Sequence, residues 1–123
     1  MRTSMSTPIL ALSGARGSWE ADAGVTELLE VARTADRLGF DYMTCSGHVG
    51  VPREDAVELP AGFDILHGAA QPLDPIGAPD AVLEARAASA QAGATVFRLT
   101  VRHESAGHFL DQLAAYAEIV AAS

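Results

Sequence analysis

Apolar and polar positions divide the chain into two patterned stretches separated by an irregular one. Residues 8–15 (PILALSGA) are a short apolar run closing on Ser-Gly, which predicts a buried strand and a turn through Arg16 and Gly17. Over about 22–38 the apolar residues Val25, Leu28, Leu29, Ala32, Ala35 and Leu38 recur at three- and four-residue spacing. That spacing marks one face of a helix, and Gly39 is a natural stop. Residues 40–46 (FDYMTCS) are rich in aromatic and β-branched side chains and predict a second strand. A strand, a helix and a strand in such close succession form a βαβ unit with parallel strands.

The stretch 47–75 holds Pro52, Pro60, Pro72 and Pro75, an acidic cluster at Glu54, Asp55 and Glu58, and little periodicity. Only 63–66 reads as a short strand. Order returns at Gly77-Ala78-Pro79-Asp80, where Pro at the first helical position and an adjacent acid open a helix. That helix runs to about residue 92 and stops at Gly93. Residues 94–102 (ATVFRLTVR) predict a further strand. Ser105 is placed to cap a last helix whose apolar stripe is Phe109, Leu113, Tyr116 and Val120. The order β-α-β, irregular, α-β-α predicts one α/β domain over 1–123.

Composition narrows the function classes. Eight basic residues, all Arg, stand against sixteen acidic ones, a net charge of −8. A negative field repels phosphate backbones and anionic lipid, so neither a nucleic-acid nor a membrane partner is expected. The single cysteine, Cys45, excludes an intramolecular disulfide and any multi-cysteine metal site. On a strand Cys45 points with Met43 away from Ser46, and no Gly-x-Ser-x-Gly elbow is present, so a buried inert thiol is expected. His103 and His108 are five residues apart, which on a helix separates them by roughly 140°. No metal site is expected. The first six residues lack the apolar core of a signal peptide, which predicts a soluble, cytoplasmic protein.

Two blocks carry a resemblance. The first, 31–52, reads VARTADRLGFDYMTCSGHVGVP: a helix closing on a small residue, an acid and Leu-Gly-Phe-Asp, then a strand ending near Ser-x-His. The second, 73–120, has a Gly-x-Pro-acid helix opening and a closing Ala-Gly-Ala-Thr before its strand. Together they resemble the luciferase-like superfamily of flavin- and deazaflavin-dependent oxidoreductases. The resemblance implies a partial (β/α) TIM-type barrel, in which 8–52 corresponds to the N-terminal segment and 73–121 to the C-terminal one. Residues 53–72 form the irregular connection. A complete barrel needs about 250 residues, so the middle βα units are missing. In the family the last strand pairs with the first, which would make the two blocks spatial neighbours.

The resemblance also assigns residues. His48, just past the second strand, matches the family's active-site histidine and is the candidate general base; a ring titrating near neutrality suits that role. The acid that usually precedes it is replaced by Gly47, and the residues alone read as a loop histidine at a strand end. Ser46, Arg98 and Arg102 are the candidate cofactor-lining residues. Arg98 and Arg102 share a strand face with Val96 and Thr100, where a phosphate or carboxylate partner would satisfy them, although an exposed or internally paired face is the simpler reading. The implied cofactor is FMN or a deazaflavin coenzyme, and the implied activity is monooxygenation or hydride transfer, impaired by the missing centre. A non-catalytic, homo-oligomerising remnant and a small-ligand binding module stay open beside it. A homodimer is expected in particular, because helices on one side of a short sheet would leave its other face apolar and uncovered.

Overall fold

The computed structural model describes residues 1–6, 18–44 and 64–123. Four strands and three α-helices follow in the order β1 (Arg2–Ser6), α1 (Val25–Arg37), β2 (Tyr42–Thr44), β3 (Leu66–His67), α2 (Pro79–Gln91), β4 (Val96–Leu99) and α3 (Ala106–Ala122), with a 3-10 turn at Ser18–Ala21 before α1. The strands form one sheet in the order β2-β1-β4-β3, every pairing parallel. This is the α/β class expected from the periodicity. No helix among the described residues is long and apolar enough to cross a membrane.

The helix boundaries have local causes. At the start of α1 the Glu27 carboxylate accepts from the Gly24 backbone N–H at 2.7 Å, and that bond holds the Glu27 carboxyl below its usual range. Pro79 sits in the first turn of α2, where its missing N–H costs nothing. Ser105 caps α3, its hydroxyl accepting from the His108 N–H at 3.0 Å. Gly39 and Gly93 follow α1 and α2 with φ of +79° and +87°, the left-handed conformation that ends a helix.

The strands depart from the sequence reading at one point. The first described strand is Arg2–Ser6, a run with only one large apolar residue, whereas the strand expected at 8–15 lies outside the described residues. β1 is central: it pairs with β2 through Ser4↔Tyr42 and Ser6↔Thr44, and with β4 through Thr3↔Phe97 and Met5↔Leu99. Hydrogen bonding along both edges, rather than apolar patterning, defines it. β3 begins at Leu66, at the end of the expected 63–66 segment, and Leu73 makes a parallel bridge to Val101 just beyond β4.

All three helices cover the same face of the sheet. Met5, Phe97 and Leu99 from the strands share one core with Val31 from α1, Val82 from α2 and Leu113 from α3. α3 lies in the middle, packed against α1 on one side and α2 on the other. Within this layer Tyr116 stacks on Phe97 at 6.3 Å between ring centroids. Its hydroxyl meets Thr3 Oγ1 at 2.9 Å, and Arg86 donates to both. Burial raises the Tyr116 phenol above its usual range, so it stays protonated as a donor.

At the outer strand, a Cβ on Gly68 would stand 2.3 Å from the Arg98 carbonyl oxygen. That contact is with backbone and cannot be relieved by a side-chain rotation. Gly68→Ala is therefore expected to destabilise the fold by about 1–3 kcal/mol, the usual cost of overpacking, measured as a lower urea midpoint at unchanged m-value.

Candidate functional site

Parallel α/β sheets place their ligand sites at the C-terminal ends of the strands. Strand alternation sends Thr3, Met5, Phe97 and Leu99 into the helix layer, so Ser4, Ser6, Val96, Arg98 and Thr100 face the other way. Ser4 lies in register with Arg98 and with Tyr42. The Ser4 side chain is fully buried, its hydroxyl donating to the Phe97 carbonyl at 3.5 Å. Towards the strand ends Ser6 Oγ meets Thr100 Oγ1 at 3.4 Å, and Thr44 donates to the Met5 carbonyl at 3.2 Å. The sequence reading expected this face to be apolar. Among the described residues it is lined mainly by hydroxyls and arginine, because RTSMS and VFRLT both alternate with their polar residues on this side.

The two arginines of this face differ. Arg2 is committed at the N-terminal end, where it pairs with Asp64 and donates to the Tyr42 hydroxyl. Tyr42 in turn donates to Asp64 at 3.2 Å, and Thr95 does so at 3.1 Å, tying β3, β1 and β2 together. Arg98 is exposed and makes no hydrogen bond or ion pair among the described residues. Its guanidinium is open to solvent beside a row of hydroxyls.

Beyond the end of β4 lie two further polar groups. Trp19 Nε1 donates to His103 Nδ1 at 3.2 Å. Indole is only a donor, so His103 carries its proton on Nε2, which points toward the buried Glu20 carboxyl at 3.8 Å. Burial holds the His103 ring below the usual histidine range, and the charge of His108 acts in the same direction. At 3.8 Å the Glu20 oxygen is beyond hydrogen-bond reach and does not offset that burial. Protonation would also place an N–H on Nδ1 against the Trp19 donor. His103 is thus held neutral and fixed in one tautomer.

The second group is built on Gln112, a fully buried amide in α3. Its Oε1 accepts from the Ile76 N–H at 3.1 Å, so its Nε2 supplies both remaining bonds, to Asp74 Oδ1 at 2.8 Å and to His108 Nε2 at 3.2 Å. The bond from Gln112, and then that from the Gly77 N–H, lower the Asp74 carboxyl below its usual range. Neither group was found in the sequence reading. For Gln112 a signal existed: it is a polar residue inside the buried stripe of Phe109, Leu113 and Tyr116.

Of the residues singled out in the sequence, Arg98 stands on the polar face as expected. Arg102 is exposed past the strand end, its backbone N–H bonded to the Leu73 carbonyl at 2.8 Å and its charge acting on Asp74. His48 and Ser46, with Cys45, lie outside the described residues. A groove of about 570 Å³ lies away from the strand ends, between α1 and α3, lined by Glu30, Arg33, Arg37 and Asp111 among others. Its mixed, solvent-open walls carry no convergent set of reactive groups.

Comparison with known proteins places the chain in no group: no family model, no curated protein and no solved structure matches it. The fold and these residues therefore carry the functional argument.

The His103 environment predicts a pH effect. With a folded pKa below the unfolded value, the unfolded chain takes up the proton first as pH falls. Stability is then fully present above the ordinary histidine pKa of about 6.5 and is lost as pH falls from there through the lower folded pKa. Urea titrations followed by Trp19, the chain's single tryptophan, are expected to show a declining midpoint from neutral to mildly acidic pH. In His103→Phe that decline becomes shallower.

Proposed function

We propose that this chain is a reduced relative of the luciferase-like oxidoreductases, binding the phosphoryl end of FMN or a deazaflavin coenzyme on the polar face of its sheet. The observation that supports this most is the strand order. The last strand, β4, pairs in parallel with the first, β1, and all helices lie on one side. A first strand pairing with the last is compatible with the closing seam of a parallel barrel, although the resemblance expects its first strand at 8–15 and the strand paired here is Arg2–Ser6.

The residues fit the anionic part of such a cofactor. Arg98 would donate charge-assisted hydrogen bonds to a phosphoryl group. The hydroxyls of Ser6 and Thr100, 3.4 Å apart, would complete the set beside it. When bound, the cofactor supplies the hydride or oxygen chemistry, and the protein supplies orientation and electrostatics. Ser46 would join this lining. His48 would hold or move a proton at the strand-end mouth, in the role that the resemblance gives it. A ligand-binding or assembly module without turnover is the second reading. It is favoured by the apolar side chains exposed on the flanks of the sheet.

Titration by flavin fluorescence tests the first reading. FMN is expected to bind saturably and riboflavin, which lacks the phosphate, more weakly. A charge-assisted hydrogen bond contributes roughly 1.5–3 kcal/mol, and 1.4 kcal/mol is tenfold in affinity. Arg98→Gln is thus expected to weaken FMN binding about ten- to a hundredfold and leave riboflavin unchanged. Failure of FMN and of a deazaflavin coenzyme to bind at all would overturn the proposal.

A further inference from the structure

Large apolar side chains left in water are concentrated on the two flanks of the sheet. Of nine such residues among those described, six lie there: Val25 and Leu29 on α1, Tyr42 and Met43 on β2, and Ile65 and Leu66 at β3. Only three lie elsewhere, so the exposure is localised. β2 and β3 are also the two edge strands among the described residues, each presenting a row of backbone donors and acceptors on its outer side.

The helices flanking these edges are unlike each other. Successive residues of a helix turn by roughly 100°. On α1 the side lined by Thr26, Glu30, Arg33 and Arg37 faces the groove against α3. Its opposite side carries Leu28, Leu29, Ala32 and Val25, with Val25 72% and Leu29 47% exposed. On α2, Arg86 reaches toward Tyr116 of α3, and the exposed Leu83, three residues before it, shares that side; Ala85 packs on the core, so the side away from α3 is that of the small residues Ala81 and Ala88. One flank therefore presents bulky apolar side chains, and the other small ones. A bulky surface fits a small-residue one, and neither fits a copy of itself as well.

We infer that two copies of this chain close one eight-stranded parallel barrel, β2 and α1 of each protomer against β3 and α2 of its partner. The contact is head-to-tail, and it closes after two copies because each supplies four strands of the eight that a (β/α) barrel needs. Both edge strands find hydrogen-bond partners, and the exposed side chains of both flanks leave water. The polar faces become one lumen, in which the two Arg98 side chains serve a shared anion site that a single chain leaves half built. The assembly rests on reading the four-stranded sheet as a barrel segment, as under the proposed function, and not on cofactor binding. A chain that assembles without flavin, or that binds flavin as a monomer, separates the two proposals.

Sedimentation velocity of the full chain gives the first readout, with twice the chain mass expected. Leu29→Glu on one flank and Ala88→Arg on the other are both exposed sites, and each variant is expected to be folded by circular dichroism yet monomeric. An equimolar mixture of the two is expected to recover the dimer, because one of its two seams is wholly native and the other sets Glu against Arg. A monomeric wild type would overturn the inference. So would an Ala88→Arg variant that stays dimeric, since that outcome means like flanks pair with like. Hydrogen exchange on the wild type needs no variant: amides of Tyr42–Thr44 and Leu66–His67 are expected to gain protection as protein concentration rises, and unchanged protection would count against the seam.

Discussion

The fold depends on β1 being a shared edge. Residues 2–6 hydrogen-bond to β2 on one side and to β4 on the other, joining segments close to opposite ends of the sequence. Without β1, nothing among the described strands connects the first βα unit to the second. The strand is held from the helix side as well. Thr3 bonds to Asp41 through its backbone and to Tyr116 and Arg86 through its hydroxyl, while Met5 is buried among the helices. A long-range pairing of this kind closes a large loop and is entropically costly to form. Met5 of this strand packs in the same core as Phe97, Leu99, Leu113 and Tyr116.

This dependence explains which parts of the fold could be read from the sequence. α1 and α3 announce themselves through apolar spacing, and α2 through Pro79 and Asp80 at its start. Gly39 and Gly93 mark helix ends with the conformation that glycine favours. β2 and β4 carry aromatic and β-branched residues. β1 has a single β-branched residue, Thr3, no aromatic one and no apolar run. Ser4 is as buried as any core residue and its hydroxyl bonds to the Phe97 carbonyl of the neighbouring strand, a consequence of its place in the sheet that RTSMS itself does not show. No local pattern encodes the adjacency of the chain's two ordered halves, which the structure makes through the parallel pairing of β1 with β4.

The candidate site was legible to a different degree. Alternation along β4 was enough to assign Arg98 to the face with Val96 and Thr100, because a strand's period of two is fixed by the backbone. What alternation could not give is whether an arginine is already paired. Arg2 and Arg98 lie on the same face, yet Arg2 is consumed by Asp64 and Tyr42 across distances in sequence that no local pattern encodes. The His103 and Gln112 groups likewise draw on residues far apart in sequence. Trp19 fixes the His103 tautomer, and Gln112 ties Asp74 and His108 to the Ile76 backbone, which makes these side chains supports for the loops after β4. Of the two arginines on this face of the sheet, Arg98 is the one whose side chain has no hydrogen bond or ion pair among the described residues.

If both proposals hold, assembly and ligand binding act on that same arginine and are linked through it. Closing two polar faces into a lumen brings two guanidiniums out of water, which costs free energy unless an anion offsets it. The same enclosure strengthens any charge-assisted bond they make, because water no longer screens it. A phosphoryl-bearing ligand would then bind the closed barrel more tightly than the single chain, and by mass action it would favour the closed form to the same extent. In such an assembly the apolar flanks would supply a driving force that does not depend on the ligand, while Arg98 would oppose association until one is present. On this reading the uncovered charge and the uncovered flanks are one feature, since each is satisfied by the structure that satisfies the other.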